Sequence, residues 1–84
     1  MTEEQTLGAI RGCLKDALKL TDAEVASVDR DTTPLQFPAW TSMAHLELML
    51  SLERTFDIMF DADEIASLAS IASILESLER HRAA

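Results

Sequence analysis

The sequence predicts an all-α fold: a bundle of four helices, the third of them short, with a long loop after the first. Three observations lead there. Only two Gly and two Pro occur among 84 residues, Tyr is absent, and 48% of the chain is apolar. Apolar residues recur at helical spacing in three separated segments. Residues that cap helices stand immediately ahead of those segments. The length fits one domain, residues 1–84. A chain this short buries only about 60% of its unfolded surface, which leaves little room for a deep catalytic cavity.

The first helix is expected from Glu3 to Lys19. "TEEQ" is a capping box, with Thr2 as N-cap and Gln5 three residues later. Leu7, Ile10, Leu14, Ala17 and Leu18 follow at helical spacing. Cys13 flanks that face as a small buried or half-buried residue rather than a reactive thiol. From Thr21 to Thr41 the periodicity is lost among Asp22, Asp29, Asp31, Thr32, Thr33, Pro34 and Pro38, with one helical turn in "TDAEVASV". Val25, Val28, Leu35, Phe37 and Trp40 are expected to pin this loop to the core. Loops of such length are often functional.

The second helix is expected from Ser42 to Phe56, with Pro38 stopping earlier helix and Thr41 or Ser42 as the cap. Glu47, Ser51, Arg54 and Thr55 form one polar stripe. Met43, Leu46, Leu48, Met49, Leu50, Leu52 and Phe56 cover most of the remaining circumference, interrupted by His45 and Glu53. So wide an apolar face predicts the central helix of a bundle. "FDADEIASL" predicts a short third helix, capped by Asp61, with Ile65 and Leu68 inward. Ser70 caps a fourth that carries Ile71, Ile74, Leu75 and Leu78. "ERHRAA" predicts a polar, frayed end.

Charge and composition narrow the function. The net charge of −8 argues against nucleic acid or an anionic membrane as partner. Residues 41–67 hold six acids and one base, so most of the excess lies in the segment that Ser42 opens. A single Cys and two distant His, His45 and His81, predict neither a disulfide nor a metal site. No apolar run is long enough to span a membrane, and "MTEEQTLGAI" has no basic n-region. A cytoplasmic, monomeric protein is expected.

Ser42 has three readings. It is a helix cap, a nucleophile, or an acceptor of a covalent group. The nucleophile reading is the poorest: His45 lies at i+3, but the sequence has no G-x-S-x-G elbow and no evident base-orienting group. The chain is therefore read as a non-enzyme. An acceptor hydroxyl at a helix start is exposed, and the backbone N–H groups there favour a phosphodiester.

The stretch "TSMAHLELMLSLERTFDI", Thr41 to Ile58, resembles the acyl carrier proteins, including peptidyl and aminoacyl carriers. Their signature is "DSL" at the start of the second helix, followed by an apolar helix ending "LE…FGI". Ser42 falls on the modified serine, Met43 on the leucine, and Leu52, Glu53, Phe56 and Ile58 on the distal part. Trp40, Ser42 and His45 are similar to the "WDSLxH" of stand-alone bacterial carriers. Length, helix count, long first loop and acidity agree along nearly the whole chain.

The resemblance implies a four-helix acyl-carrier fold and a 4′-phosphopantetheine arm, delivered from coenzyme A to Ser42 by a phosphopantetheinyl transferase. It implies an acyl or aminoacyl group held as a thioester for fatty-acid, polyketide, nonribosomal-peptide or related biosynthesis. The implied partners are that transferase, a loading ligase or transferase, and downstream biosynthetic enzymes. Thr41 and Met43 beside the serine, with Glu47, Asp61, Asp63 and Glu64, are the implied partner-binding residues. Thr41 stands where the family has aspartate, which bears on the choice of transferase. Asp57 stands where it has glycine, which bears on the helix end. The alternative is an unmodified helical adaptor that binds a partner through the same acidic face.

Overall fold

The computed structural model describes residues 2–83. Its elements run α1 (Glu3–Leu18), α2 (Asp22–Ala26), a 3-10 turn (Pro34–Gln36), α3 (Ser42–Phe56), α4 (Ala62–Ser67) and α5 (Ile71–Ala83). The described residues contain no strand, so the all-α expectation holds. They form five α-helices rather than four, because the single turn expected in "TDAEVASV" closes into α2. Thr21 drives this. Its hydroxyl accepts from the Glu24 N–H, and the Glu24 carboxylate accepts from the Thr21 N–H in return. The expected second helix is thus α3, with the anticipated bounds. No helix among the described residues is long and apolar enough to cross a membrane.

The core lies between α1, α3 and α5. Ile10, Cys13, Leu14 and Leu18 come from α1, Leu48, Met49 and Leu52 from α3, and Ile71, Ile74, Leu75 and Leu78 from α5. Leu20, Val28, Trp40, Phe60 and Leu68 close it from the connections. Cys13 is buried as expected, its Sγ 3.4 Å from the Thr55 hydroxyl. The radius of gyration, 11.6 Å, is that of a compact chain of this length, about 12 Å.

The long loop is pinned by fewer apolar residues than the sequence suggests. Val28 and Trp40 are buried, and Val25 and Phe37 pack at the margin, but Leu35 is 96% exposed on the 3-10 turn. Polar ties do the remaining work. The Arg11 guanidinium donates to the Val28 carbonyl from Nε at 2.9 Å and from Nη2 at 2.5 Å. The Ile71 N–H donates to the Thr32 carbonyl at 2.9 Å, joining the loop to the start of α5.

The face of α3 is also narrower than expected. Leu48, Met49 and Leu52 are buried, whereas Met43, Leu46 and Leu50 are exposed along one ridge. Two neighbouring long helices cover only part of a helix circumference, so the residues on the far side meet solvent.

The C-terminal segment is helical through Ala83, against the frayed end expected; Ala84 lies outside the described residues. His81 explains this. Its ring meets Phe60 edge-on, with centroids 5.4 Å apart, and its Nε2–H donates to the Glu64 carboxylate at 3.0 Å. The Arg82 guanidinium donates to the Thr6 hydroxyl at 3.3 Å.

Both α1 and α3 end on a non-glycine residue in the left-handed region, Lys19 (φ 56°) and Asp57 (φ 54°). In each case the next N–H reaches back five residues, Leu20 to the Lys15 carbonyl and Ile58 to the Glu53 carbonyl, both at 3.1 Å. This is the Schellman arrangement, which favours glycine at the left-handed position. Asp57→Gly is therefore expected to raise stability by up to about 1 kcal/mol in a denaturant titration. A lower midpoint would show that the Asp57 side chain contributes more than its backbone costs.

A second expectation concerns Glu64. Burial of its side chain pushes the carboxyl up, but hydrogen bonds from Ser77, from His81 and from the Asp61 N–H outweigh that and hold it below the usual carboxylate range. A lowered folded value stabilises above the unfolded carboxyl value of about 4.3 and ceases to do so as pH falls through the folded value. The stability advantage of the native chain over Glu64→Gln should be full at neutral pH and shrink below about pH 4.3. An advantage independent of pH would assign Glu64 a packing role.

Candidate functional site

Thr41 decides how Ser42 is presented. Thr41 has extended backbone (φ −84°, ψ 173°), and its hydroxyl accepts from the Ala44 N–H at 3.2 Å. It is the N-cap, which settles the choice left open between Thr41 and Ser42. Ser42 is consequently the first residue of the helix, exposed, with its hydroxyl free of the capping task. The unpaired N–H groups of the first turn and the helix dipole give this end a partial positive charge.

The approach to Ser42 is built by a tight chain reversal. The Trp40 N–H donates to the Phe37 carbonyl and the Thr41 N–H to the Ala39 carbonyl, both at 2.9 Å. This folds Trp40 inward, where it is only 7% exposed. Its indole Nε1–H donates to His45 Nδ1 at 2.9 Å. The two rings lie 6.0 Å apart at 26°. Because Nδ1 accepts, the imidazole proton sits on Nε2 and donates to the Ile65 carbonyl of α4 at 3.0 Å. His45 is thus a half-buried packing residue with both nitrogens committed. It does not serve as a base for Ser42.

Beside Ser42 lies a pocket of about 430 Å³. Pro34, Trp40, Ile65, Leu68 and three alanines (Ala62, Ala66 and Ala69) make its apolar wall, and Thr41, Ser42 and His45 its polar rim. None of these side chains is an acid, a lysine or an arginine. In a chain of net charge −8, this is a locally neutral surface.

The other expected site residues fall in two places. Met43, 70% exposed, adjoins Ser42 and continues into the ridge of Leu46 and Leu50, with exposed Glu47 on the same face. Asp61 and Asp63 are exposed around the start of α4, in an open groove with Glu64, Ser67, Arg80 and His81. That groove is of mixed charge rather than purely acidic. Glu64 lines the groove beside them, but its side chain is only 18% exposed and its carboxylate is taken up by Ser77 and His81, so it adds little to an exposed acidic face. Burial of Ser77 leaves its hydroxyl in need of an acceptor, and Glu64 supplies it.

Two contributors are not evident from sequence. The link from Trp40 through His45 to Ile65 has as its only trace an indole donor and an imidazole five residues apart around a serine. Glu53, an interruption of the apolar face in sequence, accepts from the Phe60 N–H at 2.8 Å and ties the α3–α4 connection to α3. Comparison with protein-family models returns no match, and comparison with curated proteins returns none.

Proposed function

We propose that the protein is a carrier of the acyl-carrier type, in which Ser42 holds a 4′-phosphopantetheine arm. One observation carries the reading: Ser42 is the exposed first residue of α3, and Thr41 relieves it of capping. A hydroxyl so placed is reachable by a modifying enzyme, and a phosphodiester on it meets the favourable end of a 15-residue helix. The pocket beside it, without charged walls, suits the uncharged pantetheine part of the arm.

In modification Ser42 Oγ forms a bond to the β-phosphorus of coenzyme A, the bond to adenosine 3′,5′-bisphosphate breaks, and the serine proton passes to the transferase. When bound, the arm supplies a terminal thiol on which an acyl or aminoacyl group is held as a thioester. The chain itself tethers, which raises the effective concentration of the carried group near each enzyme. The ridge of Met43, Leu46 and Leu50 with Glu47 offers partners an apolar contact flanked by negative charge. The same ridge favours the second reading, an adaptor that docks through α3 without an arm.

With coenzyme A, Mg²⁺ and a broad-specificity phosphopantetheinyl transferase, intact mass should rise by one phosphopantetheine, localised to the peptide with Ser42. Ser42→Ala should abolish that gain. Because Thr41 is the cap, the substitution should cost less than about 0.5 kcal/mol, whereas Thr41→Ala should cost about 0.5–2 kcal/mol. A chain left unmodified by several active transferases would overturn the carrier reading in favour of the adaptor.

Partner contact has its own test. Glu47→Lys should slow association with a loading enzyme and reduce its salt dependence, leaving the thermal midpoint nearly unchanged. Loading rates indifferent to both salt and this substitution would assign the negative charge on α3 to solubility.

A further inference from the structure

α4 is held in an unusual way. None of its six residues, Ala62–Ser67, is fully buried, so its apolar hold on the core is slight. Leu68, just beyond its end, is buried, and Ile65 packs at the margin. The remaining attachments are polar. Glu64 ties one side of α4 to Ser77 and His81 of α5. His45 ties the other side to α3 through the Ile65 carbonyl.

That carbonyl is a fitting anchor. It lies in the last turn of α4, where carbonyls have no partner within the helix. The donor that reaches it is fixed in turn. Trp40 Nε1–H occupies His45 Nδ1, which leaves the imidazole proton on Nε2 facing Ile65. Trp40 stands two residues before Ser42 and His45 three after, so their hydrogen bond closes a clasp across the serine. Ala62, Ile65 and Ala66 of α4 form one wall of the pocket beside Ser42, and Trp40 and His45 form the facing part.

We infer that Trp40 and His45 are positioning residues that latch α4 to the first turn of α3 and thereby set the width of the pocket beside Ser42. The latch is a property of the unmodified chain. Only its consequence, control over which uncharged group packs beside Ser42, rests on the carrier reading. Releasing either hydrogen bond leaves α4 held by the Glu64 ties to α5, by the marginal packing of Ile65 and by Leu68 at its end, so its first turn moves most readily.

The test is site-resolved amide hydrogen exchange on the full-length, unmodified protein. The reporters are the Ile65 and Leu68 amides, which donate to the Asp61 and Glu64 carbonyls at 2.9 and 3.1 Å. Trp40→Phe, which keeps an aromatic ring and loses the donor, and His45→Phe should each speed exchange at these amides by about two- to tenfold. The Leu14 amide in α1 and the Ile74 amide in α5 should keep their rates. His45→Gln should restore most of the protection, since one side-chain amide both accepts and donates, whereas a packing role would be better preserved by Phe. Unchanged exchange in α4, or the same acceleration in all helices, would overturn the latch. Should a transferase fail to modify Ser42, the carrier reading falls while these rates still decide the latch.

Discussion

Everything in this protein depends on the apolar contact among three long helices. Leu14 of α1, Leu48 and Leu52 of α3, and Ile74 and Leu78 of α5 are fully excluded from water. Each such side chain contributes about 1.5–3 kcal/mol relative to exposure, and these terms offset the entropy of ordering the chain. Among the described residues only α1, α3 and α5 are long enough to present a continuous apolar stripe to a common centre. The remaining elements cannot add a second core. They are arranged around this one by whatever they can attach.

That limitation explains the part played by polar ties. α2 and α4 contain no buried residue, and the 3-10 turn leaves Leu35 in water. What holds these elements is a set of hydrogen bonds to backbone carbonyls and carboxylates: Arg11 to Val28, Ile71 to Thr32, Phe60 to Glu53, His45 to Ile65, Ser77 and His81 to Glu64. Each contributes about 1 kcal/mol net, less than a buried leucine, but each is directional. The long helices are therefore fixed by hydrophobic burial, and the connections by a few buried residues such as Val28, Trp40 and Phe60 together with directional hydrogen bonds. Segments held by few buried contacts are also those that open most readily.

The candidate site lies where these two regimes meet. Ser42 is the first residue of a rigid helix, and the opposite wall of its pocket is the short, polar-tethered α4. A fixed attachment point beside an adjustable wall suits a protein that holds one group and shows it to several enzymes. The exposed ridge of Met43, Leu46 and Leu50 runs along the same helix, so one element carries both Ser42 and an exposed apolar surface.

Much of the helical layout was legible in the sequence. The capping box of Thr2 and Gln5, the bounds of α3, Asp61 ahead of α4, and the α5 stripe of Ile71, Ile74, Leu75 and Leu78 all follow from local chemistry: hydroxyl and carboxylate caps, and apolar residues every three or four positions. The left-handed turn at Asp57 was marked by a resemblance, in the position where a carrier has glycine. Periodicity reports which residues share a face; it does not report how much of that face a neighbour covers. Leu46, Leu50 and Leu35 were accordingly expected inside, and tertiary packing left them in water. Long-range polar pairs leave no local signature either. Nothing near Glu64 announces Ser77 and His81, thirteen and seventeen residues away, or ties His45 to a carbonyl twenty residues on. The sequence by itself determined the helices and singled out Ser42. Only the tertiary structure decided that Ser77 and His81 take up the Glu64 carboxylate and that Trp40 and His45 join α3 to α4, because each depends on atoms that folding alone brings together.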